Sequence, residues 1–136
     1  MAVAPQILAM HAAALWAGLL ILWLLVLSGL VVVRRRKHLV AFGDGGHAEM
    51  TTATRAFGNA SEYIPAVLVA LVLLAAVGVP PTLIHALGGV MLAGRIIHAL
   101  GLLFQKGPSL GRVLGMLLTW IVLLVCGVAL VAYAVI

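Results

Sequence analysis

Charge is what this chain has least of: 8% of its 136 residues are Asp, Glu, Lys or Arg, while 65% are hydrophobic. Soluble domains carry about 25% charged residues. One water-soluble domain of this length could not hide so many Leu, Val, Ala and Ile side chains, so a soluble globule is excluded and most of the surface must face lipid. Cysteine is nearly absent. Cys126 stands alone in an uncharged stretch, which rules out an intramolecular disulfide and a cysteine-based metal site. The histidines add no metal pattern, since His11, His38, His47 and His85 match no ligand spacing. No metal is expected. Aromatic residues make up 6% of the chain and there is no separate basic domain, so nothing is available to hold a polynucleotide. The positive n-region of a secretory signal is also missing, and the first apolar run is longer than a typical h-region, so it is expected to remain as a spanning helix.

What the chain has in abundance is long apolar runs. A spanning helix needs about 20 apolar residues, and Ala12 to Val33 and Val113 to Ile136 each meet that without a charge. Tyr63 to Gly94 is also free of Asp, Glu, Lys and Arg, but it is too long for one span and is interrupted by Gly78, Pro80 and Pro81. Two successive prolines remove two backbone donors and push the preceding residue out of the α region, so span two is predicted to end near Val79 and span three to begin near Thr82. The chain thus reads as a single all-α membrane domain over residues 1–136, a four-helix bundle with spans of approximately 7–33, 51–79, 82–104 and 110–135. The eight basic residues fall mainly between spans one and two (Arg34 to Lys37, Arg55) and between spans three and four (Lys106, Arg112). By the positive-inside rule those connections are cytoplasmic and both termini face outward, periplasmic in a bacterium. Gly43-Asp44-Gly45-Gly46 in the first connection reads as a mobile surface turn that Asp44 can close.

A few polar residues lie within the spans, where each is costly and marks a candidate site. Arg55, Asn59 and Glu62 share one helix face by their spacing, and so do Arg95 and His98. Glu62 lies as many residues before Pro80 as His98 lies after it, with Arg95 about one turn nearer, so two helices leaving a tight turn bring all three to one level, roughly 20 to 27 Å from that turn. Arg34 to Arg36 and Arg112 lie on the same side. One reading is purely structural, with Glu62 pairing to Arg55 or Arg95 and Asn59 bridging helices. The other follows from the charge balance. One carboxylate cannot neutralise Arg55, Arg95 and the nearby cluster, and a bound anion carrying a cationic group for Glu62 relieves the surplus. Arginine forks suit carboxylates in particular. Pro65 leaves the Ser61 carbonyl without its helical donor and is expected to kink span two. Trp16, Trp23, Trp120 and Tyr133 read as lipid-facing or interfacial anchors.

The segment Arg55-Ala-x-x-Asn59-x-x-Glu62-Tyr63-x-Pro65, followed by Gly94-Arg95-x-x-His98, resembles the MAPEG family, the membrane-associated proteins in eicosanoid and glutathione metabolism. The likeness covers nearly the whole chain, and Gly43-Asp44-Gly45-Gly46-His47 is similar to the first loop of bacterial members. It implies a homotrimer of four-helix subunits in the bacterial inner membrane, with glutathione as co-substrate at each subunit interface. By that resemblance Arg55 and Arg95 hold carboxylates, Glu62 the ammonium, Asn59 and Tyr63 the peptide backbone, His98 lies at the site, and Arg34 closes the rim. Arg112 takes the place beside the thiol, with Ser109 a rival for that neighbourhood. His98 and Leu102 stand where eicosanoid synthases have tyrosines, which argues against eicosanoid synthesis.

These expectations lead to a membrane-bound glutathione transferase acting on hydrophobic small-molecule electrophiles dissolved in the lipid, extended to peroxidase activity toward lipid hydroperoxides. Two other classes stay open. One is a non-catalytic module that binds glutathione or an anionic lipid and acts through a partner protein; the other is a small four-span exporter using Glu62 as a proton-coupled site, with which Arg55 and Arg95 fit poorly. The topology has its own test. Alkaline phosphatase fused after Ile136 is expected to be active and green fluorescent protein fused there dark, with the opposite result for insertions in the first connection.

Overall fold

The computed structural model describes residues 5–104 and 107–135. They form four helices, α1 Pro5–His38, α2 Ala48–Ala76, α3 Pro81–Phe104 and α4 Leu110–Val135, with no strand among the described residues. Each is long and apolar enough to cross a membrane. Lys106, assigned by charge to the third connection, lies outside the described residues.

The helix ends depart from the sequence expectation in instructive ways. α1 runs past Val33 to His38, so the basic cluster forms its last turn instead of following it. Cations there complement the negative end of the helix dipole, and Arg35 Nη1 also donates to the carbonyls of Ala41 (3.0 Å) and Gly43 (3.3 Å), closing the chain reversal. α2 begins three residues earlier than expected, at Ala48, and ends at Ala76, before the prolines. Gly78 is responsible for that end: it adopts φ +88°, its N–H donates to Ala75 O, and the N–H of Val79 donates to Leu74 O. Those two bonds form a Schellman cap, which requires the left-handed conformation that glycine adopts freely. Pro81 then serves as the first residue of α3, where its missing N–H costs nothing. α2 itself continues through Pro65. In the first connection Asp44 accepts hydrogen bonds from the Gly46 N–H (3.0 Å) and the Thr51 hydroxyl (2.8 Å). The Gly46 amide first, and the Thr51 hydroxyl second, hold its carboxyl below the usual carboxylate range.

α2 and α3 each pack against all three other helices, and α3 does so most extensively. The closest neighbour of α3 is α4, and small residues allow the approach. Gly94 and Gly101 of α3 face Gly115 and Gly111 of α4, and a Cβ added at Gly115 would lie 2.6 Å from the Cβ of His98. Lipid offers no hydrophobic drive between helices, so close backbone contact of this kind supplies the association energy. On the other side, Trp16 of α1 lies over Gly88 and Gly89. Trp16 and Trp23 are half-buried against the core, which corrects the expectation of lipid-facing anchors. Trp120 and Tyr133 are exposed as expected. The outward faces of α1 and α4 are otherwise aliphatic, as a lipid solvent dictates.

Gly115→Leu overpacks the α3–α4 contact and is expected to lower stability by about 1–3 kcal/mol. Gly127→Ala, at a position with open space around it, should leave the unfolding midpoint in detergent unchanged or raised. Thermal unfolding followed by circular dichroism compares the two.

Candidate functional site

Helical spacing puts Arg55, Asn59 and Glu62 on one face of α2, and that face borders a groove of about 390 Å³. His98 and Leu102 of α3 and Arg112 and Met116 of α4 complete its lining, together with Thr54 and Gly58. Five of the residues singled out from the sequence, from three helices, therefore meet in one cleft. Arg55 and Glu62 are exposed at its edge, whereas His98 is buried. An adjoining groove of about 540 Å³ shares Arg55 and Arg112 and adds Arg34 and Thr52. Arg34 Nη1 donates to the Glu49 carbonyl and to the Thr52 hydroxyl (3.1 Å), which fixes it beside α2. Arginines from α1, α2 and α4 thus converge on adjoining walls.

Arg95 and Tyr63 lie behind the groove and not in its lining. The Arg95 side chain is 1% exposed. Its Nη1 donates to Asn59 Oδ1 at 2.8 Å and its Nη2 to Gly115 O at 3.2 Å, while its guanidinium carbon sits 5.3 Å from the centre of the Tyr63 ring. Nε has no partner among the described residues. Arginine keeps its charge in proteins, and here all its partners are neutral. The ion pairs among the described residues are Lys37–Glu49 (2.9 Å) and His38–Glu49 (3.4 Å), so Glu62 pairs with neither Arg55 nor Arg95. The purely structural reading is met in one half, since Asn59 bridges α2 to α3 through Arg95, and fails in the other, since Glu62 has no basic partner among the described residues.

The Arg95 contact has a consequence for Asn59. Because Oδ1 accepts from Arg95, the two N–H donors of the Asn59 amide are left for a partner, and Asn59 lines the groove. At the start of α4, Ser109 is committed as a cap. Its hydroxyl accepts from the Arg112 N–H (3.3 Å) and donates to Gly101 O (3.2 Å), leaving Arg112 as the polar side chain exposed to the cleft there. The Arg112 guanidinium donates to Gly107 O at 3.1 Å.

Sequence reasoning missed a second, apolar groove of about 380 Å³ beside the first, walled by Val113, Leu117 and Trp120 of α4 and sharing His98, Arg112 and Met116 with it. The signal was present in the spacing, since Arg112, Met116 and Trp120 recur every four residues on one helix face. Arg112, Met116 and His98 therefore stand between a polar cleft and an apolar one.

Comparison with known proteins places the chain in a family. The model of the MAPEG family matches residues 13–132. Inner membrane protein YecN of Escherichia coli (strain K12) is 40% identical over 111 residues, covering 82% of this chain and 83% of that protein. The protein of the same name from Escherichia coli O6:H1 is equally similar. No solved structure matches.

Asn59→Leu removes a hydrogen bond to a buried charge and is expected to destabilise the fold by about 1.5–3 kcal/mol. Glu62→Gln, at an exposed residue outside both ion pairs, should change stability by less than about 0.5 kcal/mol. Unfolding of both variants in the same detergent makes the comparison.

Proposed function

Because the chain belongs to the MAPEG family and is a multi-pass integral membrane protein, we propose that it is a glutathione transferase conjugating hydrophobic electrophiles taken from the bilayer. The observation that carries this reading is the cleft in which Arg55, Asn59, Glu62, His98 and Arg112 meet. Glutathione has two carboxylates, one ammonium and a thiol, and the cleft offers a complement to each. Arg55, with Arg34 on the adjoining wall, receives the carboxylates through bidentate forks. Glu62 receives the ammonium. The Asn59 amide donates to a peptide carbonyl, with Arg95 and Tyr63 acting through Asn59 from behind.

Arg112 activates the sulfur. A free thiol has a pKa near 8.5 and is mostly protonated at neutral pH, while an adjacent guanidinium favours the thiolate, which is the nucleophile. Arg112 thus acts as an electrostatic stabiliser and not as a base. With an aryl halide the thiolate forms the carbon–sulfur bond as the carbon–halogen bond breaks; the thiol proton goes to water and the halide departs. The apolar groove beyond Arg112 and His98 delivers the electrophile from lipid. Lipid hydroperoxides reach the thiolate by the same path. The protein works in the bacterial inner membrane with its basic connections cytoplasmic, as a homotrimer whose neighbouring copy closes the open side of the cleft.

Arg112→Ala is expected to lower kcat for glutathione conjugation of 1-chloro-2,4-dinitrobenzene by about 100-fold with a much smaller rise in the KM for glutathione. Unchanged turnover would remove Arg112 from the chemistry. Glutathione binding without any conjugation by the unmutated protein would instead identify a non-catalytic module.

A further inference from the structure

At the end of the bundle opposite the arginines, α1 and α3 border an open groove of about 390 Å³, most of whose lining is exposed, that the proposed reaction does not use. His11, Leu8 and Leu15 of α1 line it together with Pro81, Thr82 and His85 of α3. One contact sets its chemistry. Trp16 Nε1 donates to His85 Nδ1 at 3.1 Å, with the two rings edge to face. An indole N–H is a donor only, so Nδ1 must be the acceptor nitrogen and the proton of neutral His85 resides on Nε2. Trp16 is itself held in place by Gly88 and Gly89, over which it packs. His85 is thereby fixed in orientation and in tautomer, with an Nε2–H that has no partner among the described residues.

Three ligand classes can be weighed against this arrangement. A metal ion needs a lone pair on the free nitrogen, which a protonated Nε2 lacks, and the described residues contain no group of three or more His, Cys, Asp or Glu suited to a metal. A phosphate needs fixed positive charge, and residues 5–33 and 56–94, which supply both walls, contain no Lys or Arg. A neutral, flat molecule with a carbonyl acceptor meets every feature: aliphatic and proline walls, one preorganised N–H, a second imidazole on the facing helix and the Thr82 hydroxyl one turn before His85. His85 lies one turn into α3, roughly 6 Å from its start, at the depth where a ring headgroup sits and its tail enters lipid.

We propose that this groove binds the headgroup of a bilayer-dissolved quinone, one ring carbonyl accepting from His85 Nε2–H and the ring lying against Pro81 and Leu15. The site is separate from the thiol-binding cleft and stands whether or not glutathione is a substrate. Trp16 is its built-in reporter, because a quinone in contact quenches indole emission. In a Trp23→Phe, Trp120→Phe background within phosphatidylcholine nanodiscs, decylubiquinone is expected to quench Trp16 saturably. His85→Phe should weaken that binding at least about fivefold, the factor for one lost hydrogen bond, and Leu15→Phe, which adds bulk at an exposed wall position without adding an indole, should separately weaken it by crowding the ring. Quenching that rises linearly without saturation, as simple partitioning or a preference for phospholipid would give, overturns the proposal. So does saturable quenching that His85→Phe leaves unmoved. Should His85→Phe fail to fold, unaltered binding in Leu15→Phe is equally decisive.

Discussion

The buried guanidinium of Arg95 is the interaction on which the rest of this bundle depends. It stands on α3, donates to a side chain of α2 and to a backbone carbonyl of α4, and so ties three helices at one level. The carbonyl it reaches belongs to Gly115, whose missing side chain also lets α4 approach His98. A larger residue there would push α4 away, and with it Arg112, so the packing of small residues and the placement of the cleft are one constraint. Burying a charge among neutral partners is expensive, and an arrangement of this kind suits a site more than a scaffold.

The same contact divides the arginines into two kinds. Arg95 is consumed within the fold and orients Asn59, whereas Arg34, Arg55 and Arg112 border open grooves. Glu62, the carboxylate in the same cleft, is exposed and takes part in neither ion pair of the described residues. A surplus of cations around one anion favours a zwitterionic ligand with more negative than positive groups, which is the charge pattern of glutathione. On the proposed reading, Arg112 and His98, shared by a polar and an apolar groove, stand where a water-soluble thiol and a lipid-soluble electrophile meet.

Much of this was legible in the sequence because membranes impose simple rules. Apolar runs gave the four spans, and the symmetric placement of Glu62 and His98 about Pro80 gave their common level. What stayed hidden depended on local competition that periodicity does not report. Gly78 ended α2 before the prolines could, because the left-handed cap satisfies carbonyls that a proline merely leaves open. α1 absorbed the basic cluster because its dipole and the carbonyls of the first connection both favour cations there. Arg95 and Arg55 look alike as letters, yet one is sealed beneath the cleft and the other borders it; only the contact with Asn59 distinguishes them. Trp16 read as a lipid anchor because its partner, His85, lies on a different helix and far along the chain.

The claim that the surplus guanidinium charge is answered by a bound zwitterion is tested most directly by titrating glutathione into the detergent-purified protein in a calorimeter, alongside Glu62→Gln. Saturable heat in the unmutated protein, with affinity reduced at least tenfold in Glu62→Gln, is the result expected. No heat in the unmutated protein, or equal affinity in both, would contradict it.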